Sequence, residues 1–241
     1  MARVKVKYLA ILFVCFSCND DNEFSPENLD GILSLSIDNN NAVSDGIEEI
    51  EVIAEFPIDF STETDGMVDF TIFKQPSEVI SRSIEIVQEN GVQEKQSSIL
   101  INSNKADSLR VEATISVNAI NISKEVFIHF SKAYLTTINI KSSSLTIQPN
   151  SFNEIEITTE LLRDSGIVTL NSIAETVVVD TLGQVRGIFN GYQNKTNNEG
   201  KIVNNFTLGN DDYQGRLFVI GTSADVNNVI KSDTLTIFSQ N

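Results

Sequence analysis

The sequence predicts an all-β chain: two antiparallel β-sandwiches in tandem, behind an N-terminal leader and a short linker. Three observations predict it. Apolar residues alternate at period two with little helical periodicity, turn pairs ending in Gly separate the apolar runs, and the second half echoes the first at a spacing near 105 residues.

The leader comes first. Arg3, Lys5 and Lys7 give a basic start, residues 8–16 form a short apolar run, and Ser17 is the small residue expected before a cleavage point. That run is roughly half of the ~20 residues that cross a bilayer, which argues against a membrane-spanning anchor. Phe16-Ser17-Cys18 followed by Asn19-Asp20-Asp21-Asn22-Glu23 resembles the lipobox of bacterial lipoproteins, although Cys15 and Phe16 depart from the usual residues of that motif. The acidic cluster resembles the surface-export signal of Bacteroidetes lipoproteins. The resemblance implies a signal peptide over 1–17, palmitate-type lipidation of Cys18 as the mature N-terminus, and an acidic tether over 18–30. The protein would then sit on the outer membrane, exposed at the cell surface. An ordinary secretory signal cut before Asn19, discarding Cys18, stays open.

Cys15 and Cys18 are the two cysteines of the 241 residues, so the folded part holds no disulfide and rests on apolar burial, for which 41% hydrophobic residues suffice. The chain carries net charge −16. Removal of the leader leaves 14 basic against 33 acidic side chains, about −19. Nucleic-acid binding depends on neutralising phosphates with Lys and Arg, and this acidity excludes it along with peripheral attachment to anionic lipid.

In the first half, Ile50, Val52, Ala54 and Phe56 face one way and Glu49, Glu51 and Glu55 the other; Leu109, Val111, Ala113, Ile115 and Val117 repeat the pattern. Strands are expected near 32–37, 47–56, 67–73, 97–102, 109–118 and 125–131. The second half predicts them near 135–148, 153–162, 167–173, 176–180, 185–190, 201–208, 216–222 and 233–239. Turns fall at Asp45-Gly46, Asp65-Gly66, Asn90-Gly91, Asn190-Gly191 and Glu199-Gly200, where Gly after Asn or Asp suits positive φ. Pro57 and Pro76 mark strand ends or edges.

The echo between halves pairs Glu49-Ile50-Glu51-Val52 with Glu154-Ile155-Glu156-Ile157, and Asp65-Gly66-Met67-Val68-Asp69-Phe70 with Ser165-Gly166-Ile167-Val168-Thr169-Leu170. It also pairs Leu109-Arg110-Val111 with Gly215-Arg216-Leu217, and Ile128-His129-Phe130 with Leu235-Thr236-Ile237. Two units of about 100 residues follow, over 31–134 and 135–241, each the size of a seven-strand sandwich. The run from Asn198-Glu199-Gly200 through Phe206-Thr207-Leu208-Gly209 to Gly215-Arg216-Leu217 and Gly221-Thr222 resembles the later half of bacterial immunoglobulin-like domains of the invasin and intimin group. Asp45-Gly46 and Gly66 with Val68 and Phe70 resemble the early half. The resemblance implies tandem immunoglobulin-like β-sandwiches serving as extracellular adhesive or spacer modules.

The residues supply no catalytic centre. His129 is the single histidine, so triads and His-based metal sites lack parts, and its place between Ile128 and Phe130 is that of a strand's outer face. No Gly-rich phosphate loop is present. Asp211-Asp212, Asp164 with Asp180, and Glu48-Glu49-Glu51 lack the spacing of a calcium loop, and alternating glutamates suit a solvated strand face. No cofactor or metal is expected. Without Trp, the candidate sugar-stacking residues are Phe189, Tyr192 and Tyr213, in or beside the turns of the second half; core packing or hairpin support is the competing reading. Asp107-Ser108-Leu109, Asp180-Thr181-Leu182 and Asp233-Thr234-Leu235 resemble the O-glycosylation sites of exported Bacteroidetes proteins, which implies Ser108, Thr181 and Thr234 at exposed strand ends. The expected function is non-enzymatic: a lipid-anchored envelope protein acting as adhesive, spacer or accessory subunit, with a protein or glycan partner. The alternative is a carbohydrate-binding lipoprotein of a glycan-uptake system. Contact is expected at the turns around Gly191-Tyr192 and 210–215, taken as distal to the anchor.

Overall fold

The computed structural model describes residues 31–58, 60, 66–89, 91–117 and 120–240. The expected leader, Cys18 and the tether lie outside them. In chain order the first eight strands are β1 (Ser34–Asp38), β2 (Glu49–Phe56), β3 (Met67–Phe73), β4 (Glu78–Ser83), β5 (Glu85–Glu89), β6 (Val92–Asn102), β7 (Ser108–Val117) and β8 (Ile120–His129). They form two four-stranded sheets, ordered β1-β2-β6-β5 and β4-β3-β7-β8. The next eight are β9 (Thr137–Ser142), β10 (Thr146–Ile147), β11 (Ile155–Leu162), β12 (Glu175–Asp180), β13 (Ile188–Asn190), β14 (Lys201–Thr207), β15 (Gly215–Ala224) and β16 (Ile230–Ser239). Their sheets run β13-β14-β11-β9 and β10-β16-β15-β12. No helix occurs among the described residues.

Alternation builds both cores. Ile50, Val52 and Ala54 of β2 are fully buried, as are Val111 and Ala113 of β7, and they close around Phe70 and Phe130. In the second sandwich Ile157, Phe206, Leu217, Val219 and Ile237 do the same. Each Val, Leu, Ile or Phe among them contributes about 1.5–3 kcal/mol when withdrawn from water.

Several expectations change. Strands β4 and β5 were not foreseen: each is a sheet edge, and the polar run of β4 buries almost nothing, so no alternation betrays it. The segment 135–148 is broken, because the chain leaves β11 after Ser142 and joins the opposite sheet as β10, parallel to β16. Val43 makes the corresponding parallel bridge to Ser131 in the first sandwich. Residues 167–173 are not a strand. Their apolar character serves the junction between the sandwiches instead, so the match of 65–70 with 165–170 is not a structural one. The counterpart of β3 is β12, which pairs with β15 as β3 pairs with β7.

That junction is hydrogen-bonded rather than loose. Ile167 N donates to Asp45 O at 3.0 Å and Leu170 N to Asn104 O at 2.8 Å. Thr169 Oγ1 lies 2.6 Å from Ser44 Oγ and accepts from Ala133 N at 2.7 Å, while Thr169 N donates to Ala133 O. Ser44, Ala133 and Thr169 are all buried. Gly166 has φ +67°, and a Cβ there would fall 2.7 Å from the Asp45 carboxyl carbon, so Gly is required by both backbone and space.

Candidate functional site

The second sandwich is open along one flank, between the edge strands β12 and β13. A groove of about 540 Å³ lies there, walled by Val177, Val185, Ile188, Phe189 and Tyr192. Two of the three expected ring positions meet in it. The Phe189 and Tyr192 rings are 5.6 Å apart and tilted by 41°, with Phe189 backed at 5.3 Å by the buried Phe206. Tyr192 is 45% exposed, yet its hydroxyl accepts from Thr176 N at 3.0 Å. Main-chain groups hold its loop: Gln193 N donates to Asn204 Oδ1 at 2.7 Å and Asn204 Nδ2 returns a bond to Gln193 O at 2.9 Å.

Tyr192 therefore sits on the flank of the sandwich, beside the start of β12. Tyr213 does stand in the 210–215 turn, apart from the other two. Its hydroxyl donates to Arg216 O and the Arg186 guanidinium packs 4.7 Å from its ring centre.

Arg186 organises the end of the groove. Its Nε and Nη2 donate to Asp180 Oδ2 at 2.8 and 2.7 Å, and Nη1 lies 3.6 Å from Asp211 Oδ1. Asp180 Oδ1 accepts from Leu182 N and Gln184 N. Burial opposes ionisation of Asp180, but the Gln184 N–H, the Arg186 guanidinium and the Leu182 N–H outweigh it and hold the carboxyl below the usual carboxylate range. Asp225, at the β15–β16 turn, is likewise lowered by the Val229 N–H, against burial, with help from Asn227 N–H and Lys231. Both are structural turn carboxylates with their oxygens filled.

The remaining expected sites are scattered. Ser108 opens β7, exposed, with Oγ 3.1 Å from His129 Nδ1. Thr181 is exposed just after β12. Thr234 is exposed but lies mid-strand in β16 opposite Ile220, not at a strand end. Asp164 accepts from Thr136 near the junction, far in the fold from Asp180. Among the described residues no three His, Cys, Asp or Glu side chains converge as a metal site. Sequence reasoning missed the junction roles of Asp45, Arg163 and Thr169; Asp45-Gly46 stood out only as a turn and Gly166 only in the echo between the halves.

No protein-family profile and no curated protein matches the chain. Solved structures do. The bacterial integrin-binding protein invasin is similar at 13% identity and TM-score 0.57, over 86% of this chain and 39% of that one. The fold is that of tandem immunoglobulin-like sandwiches. The Yersinia pseudotuberculosis adhesin InvE aligns over 88% of this chain and 61% of its own at 11% identity and TM-score 0.49. A tetra-tandem repeat from the extending region of a large adhesion protein aligns over 87% and 49% at 16% identity and TM-score 0.48. The chain thus spans less than two thirds of each. At these identities the immunoglobulin-like likeness concerns architecture.

Proposed function

We propose that this chain is a non-enzymatic, surface-exposed envelope protein whose two immunoglobulin-like sandwiches act as an adhesive, spacing or accessory-subunit module, tethered to the outer membrane through a lipidated Cys18. The observation that carries the reading is the junction. Its buried Ser44–Thr169 contact and the main-chain bonds from Ile167 and Leu170 fix the second sandwich relative to the first. A fixed joint suits a module that holds a surface away from its anchor. The adhesins of similar architecture support the same use. A glycan-binding role draws on the exposed Tyr192 ring beside Phe189, but the Tyr192 hydroxyl and the Arg186 guanidinium are already engaged.

The test is made on cells producing the full chain or a chain ending before residue 135. Label from a palmitate analogue, protease accessibility on intact cells, and recovery of envelope proteins only with the full chain are the expected results. Unlabelled protein shielded from protease would refute the reading.

A further inference from the structure

The edge of β12 facing the groove is only partly paired. Its residues bond alternately to β15 and outward, and the outward N–H groups of Ala174, Thr176 and Asp180 go to Asn194 O, Tyr192 Oη and Gln184 O. Arg186 N donates to Val178 O. The chain thus supplies its own strand-like cover at both ends, through the bridges Ile173↔Lys195 and Val179↔Val185. Between them the loop turns away, because Gln193 is held by Asn204 on the other sheet. The outward N–H of Val178 and C=O of Thr176 have no hydrogen-bond partner among the described residues. One donor and one acceptor at strand spacing, on the floor of an apolar groove, match an added strand.

We infer that this gap is a docking slot for an extended peptide segment of a partner protein, apolar in the middle and basic at its ends, which pairs with the main chain at Thr176 and Val178. The inference rests on the accessory or adhesive reading and names the partner's chemistry. Aliphatic Val185 and Ile188, 69% and 54% exposed, take alternate side chains of such a strand and offer nothing to sugar hydroxyls. Charge selects the ends. The chain is at −16, Glu175 on the rim is exposed and carries no ion pair among the described residues, and the rim's Arg186 is spent on Asp180 and Asp211. Two copies of so acidic a chain repel, which disfavours self-association through this edge. The Tyr192 hydroxyl on Thr176 N is then a cap that protects the edge when it is empty.

The test uses the purified full chain and a seven-residue peptide of alternating valine and threonine with a lysine at each end. Expected are saturable binding, slowed hydrogen exchange at the Val178 amide, and affinity about tenfold weaker when the central peptide residue is proline, the worth of one to two main-chain hydrogen bonds. Tyr192→Phe frees the Thr176 N–H and should strengthen binding several-fold, whereas Ile188→Asp, at an exposed position, should abolish it. Absence of binding, binding that leaves Val178 exchange unchanged, or insensitivity to proline would overturn the slot. So would an oligosaccharide that protects the same amide while the peptide does not. Because this readout uses purified protein, failure here leaves the cell-surface result standing, and failure there leaves the slot standing.

Discussion

The Asp45 carboxylate of the first sandwich faces the Arg163 guanidinium of the second, with Oδ2 3.6 Å from Nη2 and the Asp45 side chain wholly buried. Oδ1 accepts from Ile47 N and Glu48 N at 2.8 Å each, while Oδ2 makes no hydrogen bond among the described residues. The charge of Oδ2 is thus compensated by Coulomb attraction alone, in a place where removing one partner strands the other.

Asp45→Ala removes that charge together with two turn acceptors and should cost about 3 kcal/mol, at the lower end for breaking a buried pair because Arg163 retains some contact with water. Asp45→Asn keeps an acceptor for Ile47 and Glu48 and should cost less. Urea unfolding measures both; equal effects would mean that the turn, not the charge, matters.

Gly166→Ala meets two obstacles, a left-handed backbone at φ +67° and an Asp45 carboxyl 2.7 Å from the new Cβ. Together they predict a loss of about 2–4 kcal/mol. Gly191→Ala is the control. Its φ is +64° with nothing within 4 Å, so only the backbone penalty of about 1 kcal/mol applies.

The pH dependence follows from Asp180 and Asp225, whose folded-state pKa values are lowered. Stability from a depressed carboxylate is present above its unfolded value, near 3.9, and is lost as pH falls through the folded value. The fold should therefore lose stability below about pH 4, because the unfolded chain takes up protons that the folded turns resist. Asp180→Asn should lower stability at neutral pH and flatten the acid limb by as much as one proton, read from denaturation midpoints between about pH 2 and 6. An unchanged acid slope would rule out Asp180 as a linked group.

What the sequence made legible follows from burial. Strand β2 and strand β7 each set one face in the core, so period-two alternation located both to within a residue or two, and β3 was placed at its observed bounds. Edge strands β4 and β5 pair on one side and bury little, leaving no pattern to read. Ile167-Val168-Thr169-Leu170 misled because a segment buried between two sandwiches is as apolar as a strand buried within one; only the partner surface, Asp45 and Asn104, distinguishes them. The groove was half legible. Phe189 and Tyr192 were singled out as rings near turns, but the open edge of β12 beneath them depends on the Asn204 side chain drawing Gln193 to the other sheet, a long-range contact with no local signature.

Thr169 offers the sharpest test of whether the two sandwiches behave as one body. Its Oγ1 serves Ala133 N and Ser44 Oγ at once, and its N–H serves Ala133 O. Thr169→Val keeps the shape and the main-chain bond but leaves the buried Ala133 N–H without its acceptor, costing about 1–3 kcal/mol, while Ser44 Oγ loses its link to the second sandwich and keeps its bond to Ser131 O. Because Ser44 lies on the first sandwich and Thr169 on the second, the cost falls on their coupling as well as on local stability. The native chain should unfold in a single transition, and Thr169→Val should separate it into two, followed by calorimetry and by hydrogen exchange at Val52 in the first core and Val219 in the second. A variant that still melts as one, with both cores exchanging together, would place the coupling in the main-chain bonds of Ile167 and Leu170 instead.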